Sequence, residues 1–261
     1  MNQQERCLYL IRALQKEMPE YQDAPIPALP GRRWQLLRGL LNVRPPMPAG
    51  EEFLRVQDAF LRQMTAEKGI VDAAGLPPCP RNSRIALWQG DITSLRCGAI
   101  VNAANSRLLG CFSPNHGCID NIIHTMSGVQ LRLCCNGIMA AQGHEEPTGR
   151  AKITPAYNLP CQHVIHTVGP IVYDRVTPEK ERELSSCYES CLALAAENGV
   201  RSIAFCCIST GVFRFPPDRA ARIAVETAEA FLHRDQRLEQ VIFNVFKDSD
   251  LSIYQSLLGQ S

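Results

Sequence analysis

From residue 85 onward the chain carries short, uninterrupted apolar runs separated by stretches with helical spacing, and this alternation restricts its fold more than any other feature. The runs fall at residues 85–88, 99–101, 163–166, 203–208 and 241–246, each about the length of a strand. A strand buried on one face alternates apolar with polar side chains, whereas a continuous apolar run calls for burial on both faces. Helices are expected over residues 118–127, 180–198 and 218–233. Strands of this kind alternating with helices predict a three-layer α/β domain. Ligands of such sheets gather beyond the carboxyl ends of the strands. There the sequence places the polar turns Gly90-Asp91-Ile92-Thr93, Asn102-Ala103-Ala104-Asn105 and Ser209-Thr210-Gly211-Val212-Phe213.

Residues 1–80 have a different character and are expected to form a helical extension, with the main domain occupying 81–261. Cys7, Leu8, Leu10, Ile11 and Leu14 recur at helical spacing, as do Trp34, Leu37, Leu40 and Leu41, and then Phe53, Val56, Phe60, Leu61 and Met64. Proline-rich joints at 25–30, 45–48 and 77–80 separate them, and Glu51-Glu52 suits a helix start through the macrodipole. The extension carries no catalytic signature of its own, and stabilising the main domain is its expected role.

The charge balance, 27 Lys+Arg against 26 Asp+Glu, lacks the basic footprint of a nucleic-acid binder, although a nucleotide-sized ligand stays compatible with it. No apolar span reaches membrane length, and Arg12 cuts short the apolar block that starts at Cys7, so a cytoplasmic protein without a membrane or nucleic-acid partner is expected. The twelve cysteines include the adjacent pairs Cys134-Cys135 and Cys206-Cys207 and are not spaced as a disulfide framework. About eight of them read as small buried hydrophobes.

Cys111 and Cys118 stand apart, because His116 lies between them and Gly110, Pro114 and Gly117 shape the segment into a loop. Cys and His are ligand types that zinc prefers, and three protein ligands without an obvious fourth leave one coordination position for water or substrate. Cys134, Cys135 and His124 stay open as a hidden fourth ligand. Asp120 lies in the first turn of the helix that follows, with His124 four residues on along the same face as its expected buttress. The remaining candidates each have a plain alternative. Asp91 suits a helix cap as well as an adenine amino group, and Asn102 and Asn105 suit an ordinary turn as well as sugar hydroxyls. The backbone of 209–213 could cradle a phosphate, and Phe213 could equally be core. His166 is expected to be a satisfied, semi-buried histidine, and His144 to face solvent.

The joint order of these pieces resembles the macrodomain family, whose members bind ADP-ribose. The pieces are Gln89-Gly90-Asp91-Ile92-Thr93, Ala99-Ile100-Val101-Asn102-Ala103-Ala104-Asn105, Gly149-Arg150-Ala151, Val164-Ile165-His166-Thr167-Val168-Gly169-Pro170 and Ile208-Ser209-Thr210-Gly211-Val212-Phe213. They span about residues 84–258. Where common hydrolase members carry a polyglycine stretch, this chain has Cys111 to Cys118, and Gly110-Cys111-Phe112 followed by Pro114 and His116-Gly117-Cys118-Ile119-Asp120-Asn121 is similar to the zinc-dependent branch. The resemblance implies an α/β/α macrodomain with a mixed central sheet behind an N-terminal helical extension, one Zn2+ on Cys111, His116 and Cys118, and hydrolysis of ADP-ribosylated protein. It further implies Asp91 and Ile92 at the adenine, Asn102 and Asn105 at the distal ribose, and Ser209, Thr210, Gly211, Val212 and Phe213 around the diphosphate and distal ribose. Asp120, with Asn105, falls at the catalytic position. Branch members are often encoded beside a sirtuin-type ADP-ribosyltransferase and a lipoyl-carrier-like protein, which implies a mono-ADP-ribosylated protein substrate. Two other readings compete: an ADP-ribose-binding module with a structural zinc, and a thiol enzyme built on Cys111 and Cys118, whose spacing is not that of a redox pair.

Overall fold

Three helices open the chain in a computed structural model that describes residues 1–259. α1 (Gln3–Glu17) starts from a reciprocal cap, in which Asn2 accepts from the Glu5 backbone and Glu5 accepts from the Asn2 N–H. α2 (Pro30–Val43) and α3 (Glu51–Lys68) follow. The residues at helical spacing are the ones that turn inward: Leu10, Ile11, Leu14, Leu37, Leu40, Phe53, Val56, Phe60 and Leu61 are all buried. Arg44, only 1 % exposed, ties the proline-rich joint after α2 to α1 by pairing with Glu17 at 2.6 Å and donating to the carbonyls of Met47 and Pro48.

Nine strands follow among the described residues. They are β1 (Val71–Asp72), β2 (Pro78–Cys79), β3 (Asn82–Gln89), β4 (Leu95–Arg96), β5 (Ala99–Ala104), β6 (Ala151–Pro155), β7 (His163–Val168), β8 (Ser202–Phe205) and β9 (Gln240–Val245). The main sheet runs β2-β3-β9-β8-β5-β7-β6, with β1 and β4 paired separately. Its five inner strands are mutually parallel and both edge strands antiparallel, so the sheet is mixed. The intervening helices are α4 (Ile119–Ser127), α5 (Val129–Gln142), α6 (Pro178–Glu197), α7 (Pro217–Arg234) and α8 (Asp248–Leu258). α6, α7 and α8 pack together, with α6 on β6 and β7 and α8 on β3 and β9, while α4 packs with α5 and on β5. Because the inner strands are parallel, the segments after β3, β5, β7, β8 and β9 all emerge at one end.

The apolar runs become strands, with two corrections: β9 ends at Val245 and leaves Phe246 exposed, and a second run ends early. The run at 203–208 stays straight only to Phe205. Cys206 and Ile208 remain buried in a turn, which Ser209 enters at φ 65° and which the Phe215 N–H closes onto the Ser209 carbonyl. None of the twelve cysteines forms a disulfide, and eight are buried. Among the described residues no helix is long and apolar enough to cross a membrane.

The first three helices share one apolar core with the rest of the chain. Polar contacts fix the docking. Gln57 accepts from the Val129 N–H and donates to Gln130, Arg62 donates to Asn158, and Lys68 pairs with Asp91. β2, upstream of residue 81, is already an edge strand of the main sheet.

Candidate active site

The segment between β5 and α4 gathers the metal-ligating side chains. Ligand atoms of Cys111, His116 and Cys118 all lie within 4.8 Å of one another, with Cys111 Sγ 3.7 Å from His116 Nδ1. No fourth His, Cys, Asp or Glu joins this group among the described residues. Cys118 is also the N-cap of α4, its Sγ accepting from the Asn121 N–H at 3.4 Å, so a thiolate there would meet the positive end of the helix. Burial, with Cys111 and Asp120 close by, pushes the Cys118 thiol up to about 11, so at neutral pH a Cys118 thiolate needs a cation. Two convergent thiols and an imidazole are a donor set that fits zinc.

Two residues further on, in the first turn of α4, Asp120 is 5 % exposed and held from both sides. Asn102 Nδ2 donates to Oδ1 at 2.8 Å and Asn105 Nδ2 to Oδ2 at 3.3 Å. Burial pushes its carboxyl up to about 6, against the pull of the two amides and of the Arg132 guanidinium. His124 Nε2 lies 3.5 Å from Oδ1, but neither of its ring nitrogens makes a hydrogen bond, so it packs beside Asp120 without bonding it. Gly110 crosses this ring at φ 79°, where an added Cβ would lie 2.8 Å from His124 Cγ. Glycine is what that crossing requires.

A second group, His124, Cys135 and His166, also brings ligand atoms within 4.8 Å, wholly buried. Hydrogen bonding argues against a metal there. Asn102 Nδ2 donates to His166 Nδ1 at 3.2 Å as well as to Asp120, and reversing the amide would turn its oxygen onto the carboxylate. The ring proton therefore sits on Nε2, 3.0 Å from Thr154 Oγ1, and leaves His166 no lone pair for a ligand. Burial holds this ring neutral, down to about 4, and it serves as a satisfied support for Asn102.

The other predicted residues line the same end of the sheet. Asp91 caps a short turn by accepting from the Thr93 N–H and hydroxyl and pairs with Lys68, keeping about a fifth of its side chain exposed. Ile92 is core, at 1 % exposed. Asn102 is fully buried and gives its amide hydrogens to Asp120 and His166 while its Oδ1 has no partner, whereas Asn105 is half-buried. Across the sheet end, Ser209 is buried with its Oγ unpartnered, Thr210 Oγ1 donates to the Cys207 carbonyl, and Gly211 and Val212 stand exposed at the tip. Phe213 is half-buried, its carbonyl accepting from the Val172 N–H at 2.9 Å. Ser209 fits because residue 169 is glycine: a Cβ there would lie 2.1 Å from Ser209 Oγ. Sequence reasoning missed Thr154 and Arg132. Arg132 is buried behind Asp120, donates to the carbonyls of Leu109, Leu41 and Arg44, and lies 4.2 Å from the Phe112 ring centroid.

Comparison with known proteins identifies the family of this fold. The Macro domain family model matches residues 101–224. A protein-ADP-ribose hydrolase of Treponema medium is 52% identical over 99% of this chain and 100% of its own length, and one of Staphylococcus aureus (strain MSSA476) is 47% identical over 98% and 96%. The crystal structure of a Trypanosoma brucei macrodomain in complex with ADP-ribose superposes with a TM-score of 0.66 at 30% identity, covering 85% of this chain and 95% of that one. With strand order, ligand-end turns and full-length relatives in accord, the chain belongs to the macrodomain family, among its hydrolases.

Proposed function

We propose that this macrodomain is a zinc-dependent hydrolase that releases ADP-ribose from mono-ADP-ribosylated protein. The observation that carries the reading is the position of Asp120, a buried carboxyl clamped by two asparagine amides two residues beyond a Cys-His-Cys group. The names of its full-length relatives and the ADP-ribose in the Trypanosoma brucei macrodomain support the substrate class. In this reading Asp91 and Ile92 lie at the adenine end, and residues 209–213 wrap the diphosphate and distal ribose. Asn105 faces the ribose beside Asp120. Asn102 lies at the ribose with Asn105 and also positions Asp120, to which its Nδ2 donates, while its Oδ1 is left without a protein partner.

Zinc held by Cys111, His116 and Cys118 would supply a Lewis acid with one coordination position outside the protein's ligand set. Asp120 acts as general base toward the attacking water or anchors a ribose hydroxyl. A carboxyl raised toward neutrality suits the first role, because general-base efficiency rises as the pKa approaches the working pH. Asn102 and Asn105 fix which carboxylate oxygens face the cleft. The substrate class requires a transferase that attaches ADP-ribose to protein, for which the sirtuin type is our expectation, with a lipoyl-carrier-like protein as acceptor.

Incubation with mono-ADP-ribosylated protein and chromatographic detection of free ADP-ribose tests the activity, and released ADP-ribose is the expected product. Intact modified protein after prolonged incubation would reject the reading. The ligand-end loops give a separate prediction. Gly169→Ala drives a methyl group into Ser209 Oγ and Ile208, so ADP-ribose affinity in titration calorimetry should fall by roughly tenfold or more, as expected when a preorganised loop is displaced. Thermal stability should change far less.

A further inference from the structure

The N-terminal extension reaches the metal loop itself. Arg38, on α2, donates through Nη2 to the His116 carbonyl at 2.7 Å and to Asn121 Oδ1 at 2.8 Å. One turn on, Asn42 accepts the Asn115 N–H through Oδ1 at 2.9 Å. Asn115 sits at φ 56°, a left-handed backbone state that asparagine tolerates better than most residues other than glycine. Asn42 Nδ2 donates to Thr125 Oγ1 at 2.9 Å, and that hydroxyl donates to the Asn121 carbonyl at 2.7 Å. Asn121, fully buried at the start of α4, closes the circuit by donating to the carbonyls of Cys111 at 3.3 Å and Ser113 at 3.0 Å. Gly39 lets the helix and loop approach, since a Cβ there would already lie 3.3 Å from Asn115 Nδ2.

We infer that α2 is a working part of the metal centre: Arg38 and Asn42 are positioning residues that hold the Cys111–Cys118 loop in ligating shape, so the extension sets metal affinity. The inference rests on the zinc reading above and deepens it. Its physical basis is preorganisation. The ligands sit on a loop that contains Gly110, Ser113, Pro114 and Gly117 and has no strand or helix of its own before α4. Ordering such a loop costs conformational entropy each time a metal binds, unless the fold has already ordered it. The side chains of Arg38, Asn42 and Asn121 contact the loop at backbone atoms of Cys111, Ser113, Asn115 and His116, and the Asn121 N–H also meets Cys118 Sγ, so they set where the ligands point. Groups that orient metal ligands in this way typically contribute 10- to 100-fold in metal affinity.

The test is zinc competition against a chromophoric chelator on the full-length chain, comparing wild type, Arg38→Gln, Asn42→Ala and Arg62→Ala. Arg62 also ties the extension to the main domain, through Asn158, but from α3 and away from the metal loop. The expected result is a 10- to 100-fold weaker zinc affinity for Arg38→Gln and Asn42→Ala, wild-type affinity for Arg62→Ala, and ADP-ribose affinity unchanged in all of them. Arg38 is only half-buried, so its variant keeps the test open if Asn42→Ala fails to fold. Zinc bound by wild type and equally tightly by Arg38→Gln overturns the inference while leaving the zinc reading intact. A wild-type chain that takes up no zinc overturns both. Equal weakening in Arg62→Ala overturns the local role of α2 in favour of general docking.

Discussion

Asp120→Asn should lower the single-turnover rate of ADP-ribose release by about 10²- to 10⁴-fold, the usual contribution of a positioned acid–base group. The asparagine keeps the shape of the side chain and one acceptor oxygen for Asn102 or Asn105, so the buried pocket stays filled, but no group is left to take a proton. Asp120→Ala removes the acceptor as well. It strands the Asn102 and Asn105 amide donors that now point at the two carboxylate oxygens at 2.8 and 3.3 Å. The alanine variant should therefore lose both rate and stability, the asparagine variant chiefly rate. Rapid-quench kinetics beside titration calorimetry with ADP-ribose separates the two. A fall in rate with ADP-ribose affinity within a few-fold of wild type is expected. Full turnover by Asp120→Ala would remove this residue from the mechanism.

The second large effect concerns stability. Arg132→Leu should destabilise the chain by about 3–5 kcal/mol, the range seen when one member of a buried polar network is deleted. The arginine is 5 % exposed, and its donors satisfy the carbonyls of Leu109, Leu41 and Arg44. Two of those lie on or just after α2 and the third on the approach to the metal loop. Its loss thus opens the joint between extension and main domain next to Asp120. For a chain of this length such a change lowers the thermal midpoint by about 10 °C. Arg55→Ala serves as the comparison, since Arg55 pairs only with Glu52 on the surface; its midpoint should match wild type in the same scan. Equal midpoints for Arg132→Leu and Arg55→Ala would show that water replaces the lost donors.

Local patterns made much of this molecule legible before its structure. Continuous apolar runs marked five inner strands because burial on both faces leaves no room for polar alternation. The Cys111-His116-Cys118 loop was visible because its candidate metal ligands are close in sequence. What failed was of two kinds. β6 is an edge strand and α5 mixes buried Val129, Leu131 and Cys135 with Arg132 and Gly137, so neither shows a clean period. The run at 203–208 overshot its strand because Cys206 and Ile208 are buried in a turn, and burial alone does not distinguish turn from strand. The other failure is one of distance along the chain. Arg38 meets His116 and Asn121 across separations of 78 and 83 residues, and Asn42 meets Asn115 across 73. No spacing rule links such positions, so the extension read as packing alone. The carboxamide of Asn102 shows the same limit: a turn asparagine was legible, but its commitment to Asp120 and His166 depends on how β5, β7 and α4 meet.

The zinc-dependent reading is tested most directly by following ADP-ribose release from a mono-ADP-ribosylated protein with the same preparation as isolated, stripped of metal and restored with zinc, counting bound metal at each stage. Activity should vanish on stripping and return with about one zinc per chain, as a single three-ligand site requires. Undiminished release from thoroughly stripped protein would contradict it.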